Sequence, residues 1–335
     1  MSPNLARTLK LVARKLAQLI VVLFCVTLFT FLLVRFLPGD PEDLLVPASD
    51  NTGDPRTDQI VREQKERVRA DMGLDDPLPV QYWNWLSGFL TGDMGYEYGK
   101  QDKSPVSERL APALPPTLQL ILYSQVIALA VAIPLGVITA YKEGSIFDRL
   151  SNATAFGMLS LPNFAVALLL AYWIGVRSSL PFSPTGYTYF SEDPAQHFTD
   201  MVLPSITLAI GQIAIYMRLL RSDLIQTLQE DFILMARSKG ISNSRVLWRH
   251  ALRPSSLALL TVAGLNIGTL IGGTVVIEVL FGIQGMGSLI YESILTRQYL
   301  TLQSCVAIIA IGFVLINAVL DVLYNVLDPR IRHAS

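Results

Sequence analysis

Residues Asp231–Pro254 read DFILMARSKGISNSRVLWRHALRP, and they join two runs that carry no charge, Met201–Met217 and Pro254–Ile277. A helix needs about 20 residues to cross about 30 Å of hydrocarbon, so both runs are candidate membrane spans and the segment is their connection. A mere connection needs no internal order. This one has apolar residues at helical spacing, a glycine stop at Gly240 and a second basic stretch beyond it, the pattern of a docking element.

Working outward, four more uncharged stretches have the required length: Leu16–Val34, Leu118–Ala140 within a run that begins at Leu110, a stretch inside Leu150–Val176, and Leu300–Leu320. The predicted fold class is therefore an all-α integral membrane protein with six transmembrane helices. Composition agrees: 51% hydrophobic and 16% charged residues, with a mean hydropathy of +0.44, are outside the range of a soluble chain. Leu16–Val34 follows Arg7, Lys10, Arg14 and Lys15 as a secretory signal would, but it is longer than a signal's apolar core. Arg35-Phe36-Leu37-Pro38 is no small-residue cleavage site, so the stretch reads as a retained anchor.

Basic residues orient the spans. The N-terminal tail has four and no acids, while Arg218–Arg253 has seven against Asp223, Glu230 and Asp231, so both belong on the cytoplasmic side, and six crossings satisfy that parity. The expected organisation is a cytoplasmic tail at 1–15, a first helix at 16–35, an extracytoplasmic region at 36–114, a core of five helices at 115–325 and a cytoplasmic tail at 326–335. Within the external region, Asp58–Met72 carries Val61, Val68 and Met72 at helical spacing and is expected to form a surface helix.

Several chemistries are excluded. A net charge of -1 gives no phosphate-neutralising excess, so nucleic acid is not a partner. Cys25 and Cys305 lie in apolar runs and read as packing residues, with no disulfide or metal role. His197, His250 and His333 are scattered over loops and tails, and neither a metalloprotease helix, a nucleophile elbow nor a phosphate-binding glycine loop occurs. The span cores carry essentially no ionisable residue, which disfavours a gradient-driven carrier. Gln212, Asn266, Gln303 and Asn317 read as interhelical hydrogen bonders. Asn163, Asn266 and Thr274 are polar enough to touch a substrate, but packing explains them equally and no substrate-binding residue is assigned. Gly264, Gly268 and Gly272, four apart, form a small-residue face for a helix of this chain or of another subunit.

In the connecting segment, Ile225, Leu228, Phe232, Met235 and Ala236 recur at three and four, so the fourth helix is expected to run on past the bilayer with one apolar stripe. Arg237 and Lys239 suit the negative end of that helix before Gly240. Ser242 or Ser244 can cap a second helix in which Arg245 and Arg249 are a turn apart. A solvated basic face would explain the arginines but not apolar residues carried into water.

Ala236-Arg237-Ser238-Lys239-Gly240 with Arg249-His250-Ala251-Leu252-Arg253 resembles the signature loop of permease subunits of ATP-binding-cassette importers, in the branch that handles dipeptides and oligopeptides. Arg35–Pro41, Met72–Tyr82, Gly92–Gly95, Gly144-Ser145 with Asp148-Arg149, and Leu327–Arg332 are similar to stretches of that branch, in order along nearly the whole chain. The resemblance implies a type I importer permease fold with an extracytoplasmic insertion between helices one and two. It implies that two homologous permease subunits form one path, that two ATPase subunits bind inside, and that an extracytoplasmic solute-binding protein delivers a peptide. ATP and Mg are then expected on the partner ATPases, with no cofactor on this membrane-embedded chain, which is no enzyme itself. The coupling loop would comprise Glu230, Asp231, Phe232, Ala236, Arg237, Lys239 and Gly240, with Arg249 and His250.

The chain departs from the pattern at three places. Leu234, Met235 and Ala236 stand where the broader motif has Glu, Ala, Ala, which makes the docking contact more apolar. Proline comes early, at Pro254, with Ala258 at its usual site, and Gln284 replaces the proline usual in Phe281–Gly287, leaving the glycines to keep that turn. Nickel chelates, glutathione or short sugars are alternative cargoes for the same machinery. A gradient-driven carrier or a membrane scaffold is the alternative of a different class.

Overall fold

The computed structural model describes residues 3–36, 55–71, 73–98 and 103–327. Leu37–Pro41, Met72, Asp328–Arg332 and His333, singled out above, lie outside the described residues. The elements are α1 (Pro3–Arg35), α2 (Pro55–Asp71), α3 (Leu78–Thr91), β1 (Tyr96–Tyr98), β2 (Lys103–Pro105), α4 (Val106–Tyr141), α5 (Ile146–Ser160) and α6 (Asn163–Val176). There follow α7 (Pro194–Thr227), α8 (Asp231–Ser238), α9 (Asn243–Phe281), α10 (Met286–Leu295) and α11 (Tyr299–Leu327).

Each of the six predicted spans is helical. Among the described residues, four elements are long and apolar enough to cross a membrane as they stand: α4, α7, α9 and the Tyr299–Val319 part of α11. In α1 the stretch Ala17–Leu33 is apolar but shorter. Several helices outrun their apolar cores: α1 already begins at Pro3, inside the basic tail, and α4 begins at Val106, ahead of the boundary expected near residue 115. The expected surface helix is α2, with Val61 and Val68 both half-buried.

The third span is not the single helix that its apolar run suggests. Here α5 and α6 meet at an angle of 102°. Pro162 disfavours the helical region for the residue before it, and Leu161 duly takes φ -92° and ψ 129°. Pro162 itself stands at the cap position of α6, where its missing N–H breaks no helical bond.

The chain divides into two compact units. The first comprises residues 1–115 and 288–314. Its core is Phe31, Tyr82, Trp85 and Ala307, with Thr27 Oγ1 and the Tyr82 hydroxyl 2.8 Å apart. The hairpin β1–β2, in register Tyr96 to Pro105, is fixed to the start of α4 and to α10 by Arg109, whose guanidinium donates to Glu97 Oε1 and Glu292 Oε2, each at 2.7 Å.

The second unit comprises residues 116–287 and 315–335. Its most extensive helix contact is between α7 and α9. One core cluster runs through Ala128, Ala132, Ala214, Tyr216, Met217, Leu220 and Leu224, and the recurring alanines let helices approach closely. At Gly136 of α4 a Cβ would stand 3.1 Å from Met217 O, so α4 crosses α7 where only glycine fits without a shift. A second cluster holds Leu120, Met201, Leu208, Leu270, Ile277 and Phe281.

Candidate functional site

The helix of the fourth span stops sooner than its apolar stripe suggests. After Thr227 the chain turns through Leu228–Glu230, with Leu228 N–H donating to Leu224 O at 2.9 Å and Glu230 N–H to Thr227 O at 3.2 Å. Glu230 is extended, at φ -71° and ψ 148°, and α8 starts anew behind it. The turn rotates the helical register. In consequence α8 buries Ile233 and Ala236, while Phe232, Leu234 and Met235 are 45%, 55% and 57% exposed. The expected stripe through Phe232, Met235 and Ala236 is thereby corrected, and only Ala236 of those three faces inward.

Ile233 and Ala236 join the core that contains Leu220 and Leu224 of α7 and Val246, Leu247 and Ala251 of α9. Burying an Ile side chain contributes roughly 1.5–3 kcal/mol, which makes α8 a fixed part of the second unit and not a hanging loop. Gly240 closes the helix with φ +75°, a conformation costly for other residues. Its N–H donates to Arg237 O at 2.9 Å and the Ile241 N–H to Ala236 O at 3.3 Å, satisfying carbonyls that the helix end leaves open.

The second basic helix has no separate existence. Its residues form the start of α9, which continues unbroken to Phe281 through a π-helical turn at Val246–Ala251. Ser242 occupies the cap position without a side-chain hydrogen bond, and Ser244 lies inside the helix. Glu230, Asp231, Arg237, Lys239 and Arg249 are exposed, His250 is half-buried, and Trp248 adds an apolar surface 49% exposed. The result is an apolar patch among charges on a rigid bracket between α7 and α9.

The neighbouring turn is pinned to the same bracket. Ser145 Oγ accepts the Asp148 N–H at 3.2 Å and caps α5. Asp148 then receives Arg221 Nε at 2.5 Å and Nη2 at 2.7 Å, and also the Gly144 N–H at 2.9 Å.

The other singled-out residues are placed as follows. Gly264 is buried, Gly268 half-buried and Gly272 exposed with nothing within 4 Å of a Cβ built there, so the glycine face is only partly covered by this chain. Gln125, which the sequence did not single out, makes interhelical bonds, its Nε2 donating to Ala263 O at 2.9 Å and its Oε1 accepting from the Tyr216 hydroxyl at 3.0 Å. Of the expected bonders, by contrast, Gln212 Oε1 and Asn266 Nδ2 are buried without a hydrogen-bond partner among the described residues. His197 is corrected: it sits in the first turn of α7, fully buried, with Nδ1 2.8 Å from Thr188 O and Nε2 3.3 Å from the Tyr123 hydroxyl.

Sequence reasoning missed Glu278. It falls one residue past the predicted end of the fifth span and is fully buried within α9. Thr117 Oγ1 donates to Glu278 Oε1 at 2.7 Å and itself accepts the Met286 N–H at 2.8 Å. The turn after α9 is kept by glycine as expected: Gly282 has φ +69°, and a Cβ at Gly285 would meet the Glu278 carboxylate at 2.5 Å. The signal in the sequence was a lone carboxylate four and seven residues ahead of two glycines.

Comparisons with known proteins converge on one class. Residues 132–333 match the model of the family described as binding-protein-dependent transport system inner membrane component, and residues 8–120 match that of its N-terminal part. A peptide transport system permease protein of Brucella abortus (strain 2308) is 36% identical over 323 residues, 96% of this chain and 99% of the relative. The glutathione transport system permease protein GsiC of Escherichia coli (strain K12) is 35% identical over 326 residues, 97% of this chain and 99% of the relative. Among solved structures, an inward-facing form of the MetNI methionine ABC transporter aligns with a TM-score of 0.52 at 16% identity, covering 65% of this chain and 95% of that one. At that identity the likeness concerns the fold.

Proposed function

We propose, because this chain belongs to the family of binding-protein-dependent transport system inner membrane components, that it forms half of the translocation path of an importer for dipeptides or oligopeptides. As a membrane-spanning permease of an ATP-binding-cassette importer it moves solute without being the ATPase. The other half of the path is a homologous permease subunit, two ATPase subunits bind on the cytoplasmic side with ATP and Mg, and an extracytoplasmic binding protein delivers the peptide. Both termini of this chain are cytoplasmic, and the chain itself holds no cofactor.

The observation that carries the coupling reading is the two-faced α8. Its inner face, Ile233 and Ala236, is built into the core with α7 and α9, while its outer face offers Phe232, Leu234 and Met235 beside Arg237, Lys239 and Arg249. An ATPase gripping the outer face would move two membrane helices at once, because nothing soft intervenes. Glu230, Asp231, Gly240 and His250 frame that contact.

The peptide cargo is supported by relatives of nearly equal similarity, one named for peptides and one for glutathione, itself a small peptide. Glutathione is therefore the second reading, ahead of nickel chelates or short sugars. The test is reconstitution with the partner subunits and binding protein in liposomes, followed by uptake of labelled dipeptide and of glutathione with and without ATP. Concentrative uptake by the chain alone would overturn the proposal.

A further inference from the structure

The break between α5 and α6 lies level with the middle of α7, a helix long and apolar enough to cross a membrane. Gly211, midway along α7, sets that level, since a Cβ built on it would lie 4.0 Å from Asn163 Oδ1 at the first position of α6. Five consecutive residues of the break, Ser160, Leu161, Pro162, Asn163 and Phe164, are exposed, whereas Val166 and Ala167 on the following turn are buried. The break thus lies at the exposed edge of its own unit, with Asn163 Oδ1 alongside Gly211 of α7 and the rest of its surface uncovered by the described residues of this chain.

Such a backbone is not at home in lipid. Pro162 offers no side-chain group to cap α6, and the first bonds at this end are the Ala165 and Val166 N–H groups donating to Pro162 O at 3.0 Å and 3.2 Å. The N–H groups of Asn163 and Phe164 precede that first turn, as the opening amides of any helix do. Hydrocarbon supplies no partner for them, so irregular backbone at membrane depth is tolerated only inside protein or against a water-filled cavity. The polar side chains cluster in the same place: Ser160 and Asn163 flank the break, while Phe156, Leu159, Leu168 and Leu169 beyond it on either side are exposed and apolar.

We propose that Ser160–Phe164 line the aqueous path through which solute passes, so that this edge of α5 and α6 marks the pore-facing side of the chain. The inference deepens the transport reading and rests on it, but it holds for any hydrophilic cargo. Water in the path satisfies the open amides, and Asn163 presents a donor and an acceptor to whatever passes.

The test uses the complete complex in membrane vesicles, with Cys25→Ser and Cys305→Ser as background and S160C, L161C and N163C introduced singly. A charged, membrane-impermeant methanethiosulfonate is applied from both sides, with S191C in the exposed loop before α7 as the water-accessible reference. The expected result is modification at the break positions with loss of most ATP-driven uptake, and modification of S191C with uptake retained. Reaction at the break with a lipid-soluble maleimide alone, or resistance to the charged reagent together with disulfide formation to a partner subunit, would overturn the proposal. Labelling needs no peptide, so a complex that labels as expected but ignores peptides would sink the cargo assignment and leave this inference standing.

Discussion

Arg221 of α7 grips Asp148 of α5 through two near-parallel hydrogen bonds, Nε to Oδ1 at 2.5 Å and Nη2 to Oδ2 at 2.7 Å, with only 5% of the Asp148 side chain exposed. Among the described residues, the Gly144 N–H at 2.9 Å and Asn152 Nδ2 at 2.8 Å bring the donors on the same carboxylate to four. The pair ties the turn after α4 to the C-terminal half of α7, next to the bracket that holds α8.

Removing one partner should cost far more than removing both. Asp148→Ala leaves a guanidinium without its carboxylate, a loss of about 3 kcal/mol for a largely buried pair. The double variant Asp148→Ala with Arg221→Ala should recover part of that. Thermal unfolding of the four proteins in detergent measures the coupling, and simple additivity would show that the ion pair is incidental.

The two faces of α8 should separate by phenotype. Ile233→Ala empties a fully buried site and should destabilise the fold by about 2–4 kcal/mol. Met235→Glu alters an exposed side chain, so it should leave the unfolding temperature nearly unchanged while weakening co-purification of the ATPase subunits. Gly240→Trp and Arg237→Glu should likewise insert normally and lose ATP-driven uptake. Unimpaired uptake in those variants would remove the coupling role of this loop.

The turn after α9 should tolerate no side chain on its inner glycines. A Cβ at Gly285 would stand 2.5 Å from the Glu278 carboxylate, and one at Gly287 would stand 2.6 Å from Val275 Cα. Either Gly→Ala change should cost about 1–3 kcal/mol by overpacking. Gly272→Ala, where nothing lies within 4 Å, serves as the tolerant control within this chain. Equal unfolding temperatures for all three would contradict the packing described.

Glu97 should impose a pH dependence of its own. Burial pushes its carboxyl above the ordinary value, a shift that Arg109 opposes and Glu292 reinforces. A carboxyl raised in the fold contributes stability that is complete below its unfolded value, about 4.3, and is lost as pH rises through the folded one. The stability of the native protein relative to Glu97→Gln should therefore fall as pH is raised from about 4 toward neutrality. A rise over the same interval would mean that the Arg109 ion pair outweighs burial.

Much was legible in the sequence because lipid leaves a chain few choices. A backbone that enters hydrocarbon must bond to itself, so each uncharged run of sufficient length had to be helix, and six such runs are helical where expected. Gly240 was legible for a similar reason: a cation-rich helix end followed by glycine has one common geometry, and φ +75° is that geometry. Prolines were less so. Pro204 sits inside the unbroken α7 while Pro162 parts α5 from α6, and the residue type alone does not distinguish them.

By itself, then, the sequence determined the class of solvent, the helical segments and the loop that bears the family signature, since these follow from transfer energies and local backbone rules. Only the tertiary structure decided which side of α8 is buried, because a turn at Leu228–Glu230 shifts the helical register by an amount that spacing does not encode. It also decided that Glu278 is an interior group, because its partner Thr117 comes from α4, 161 residues away in the chain. Contacts between distant segments depend on how whole helices cross, and that is settled by the fit of many side chains together.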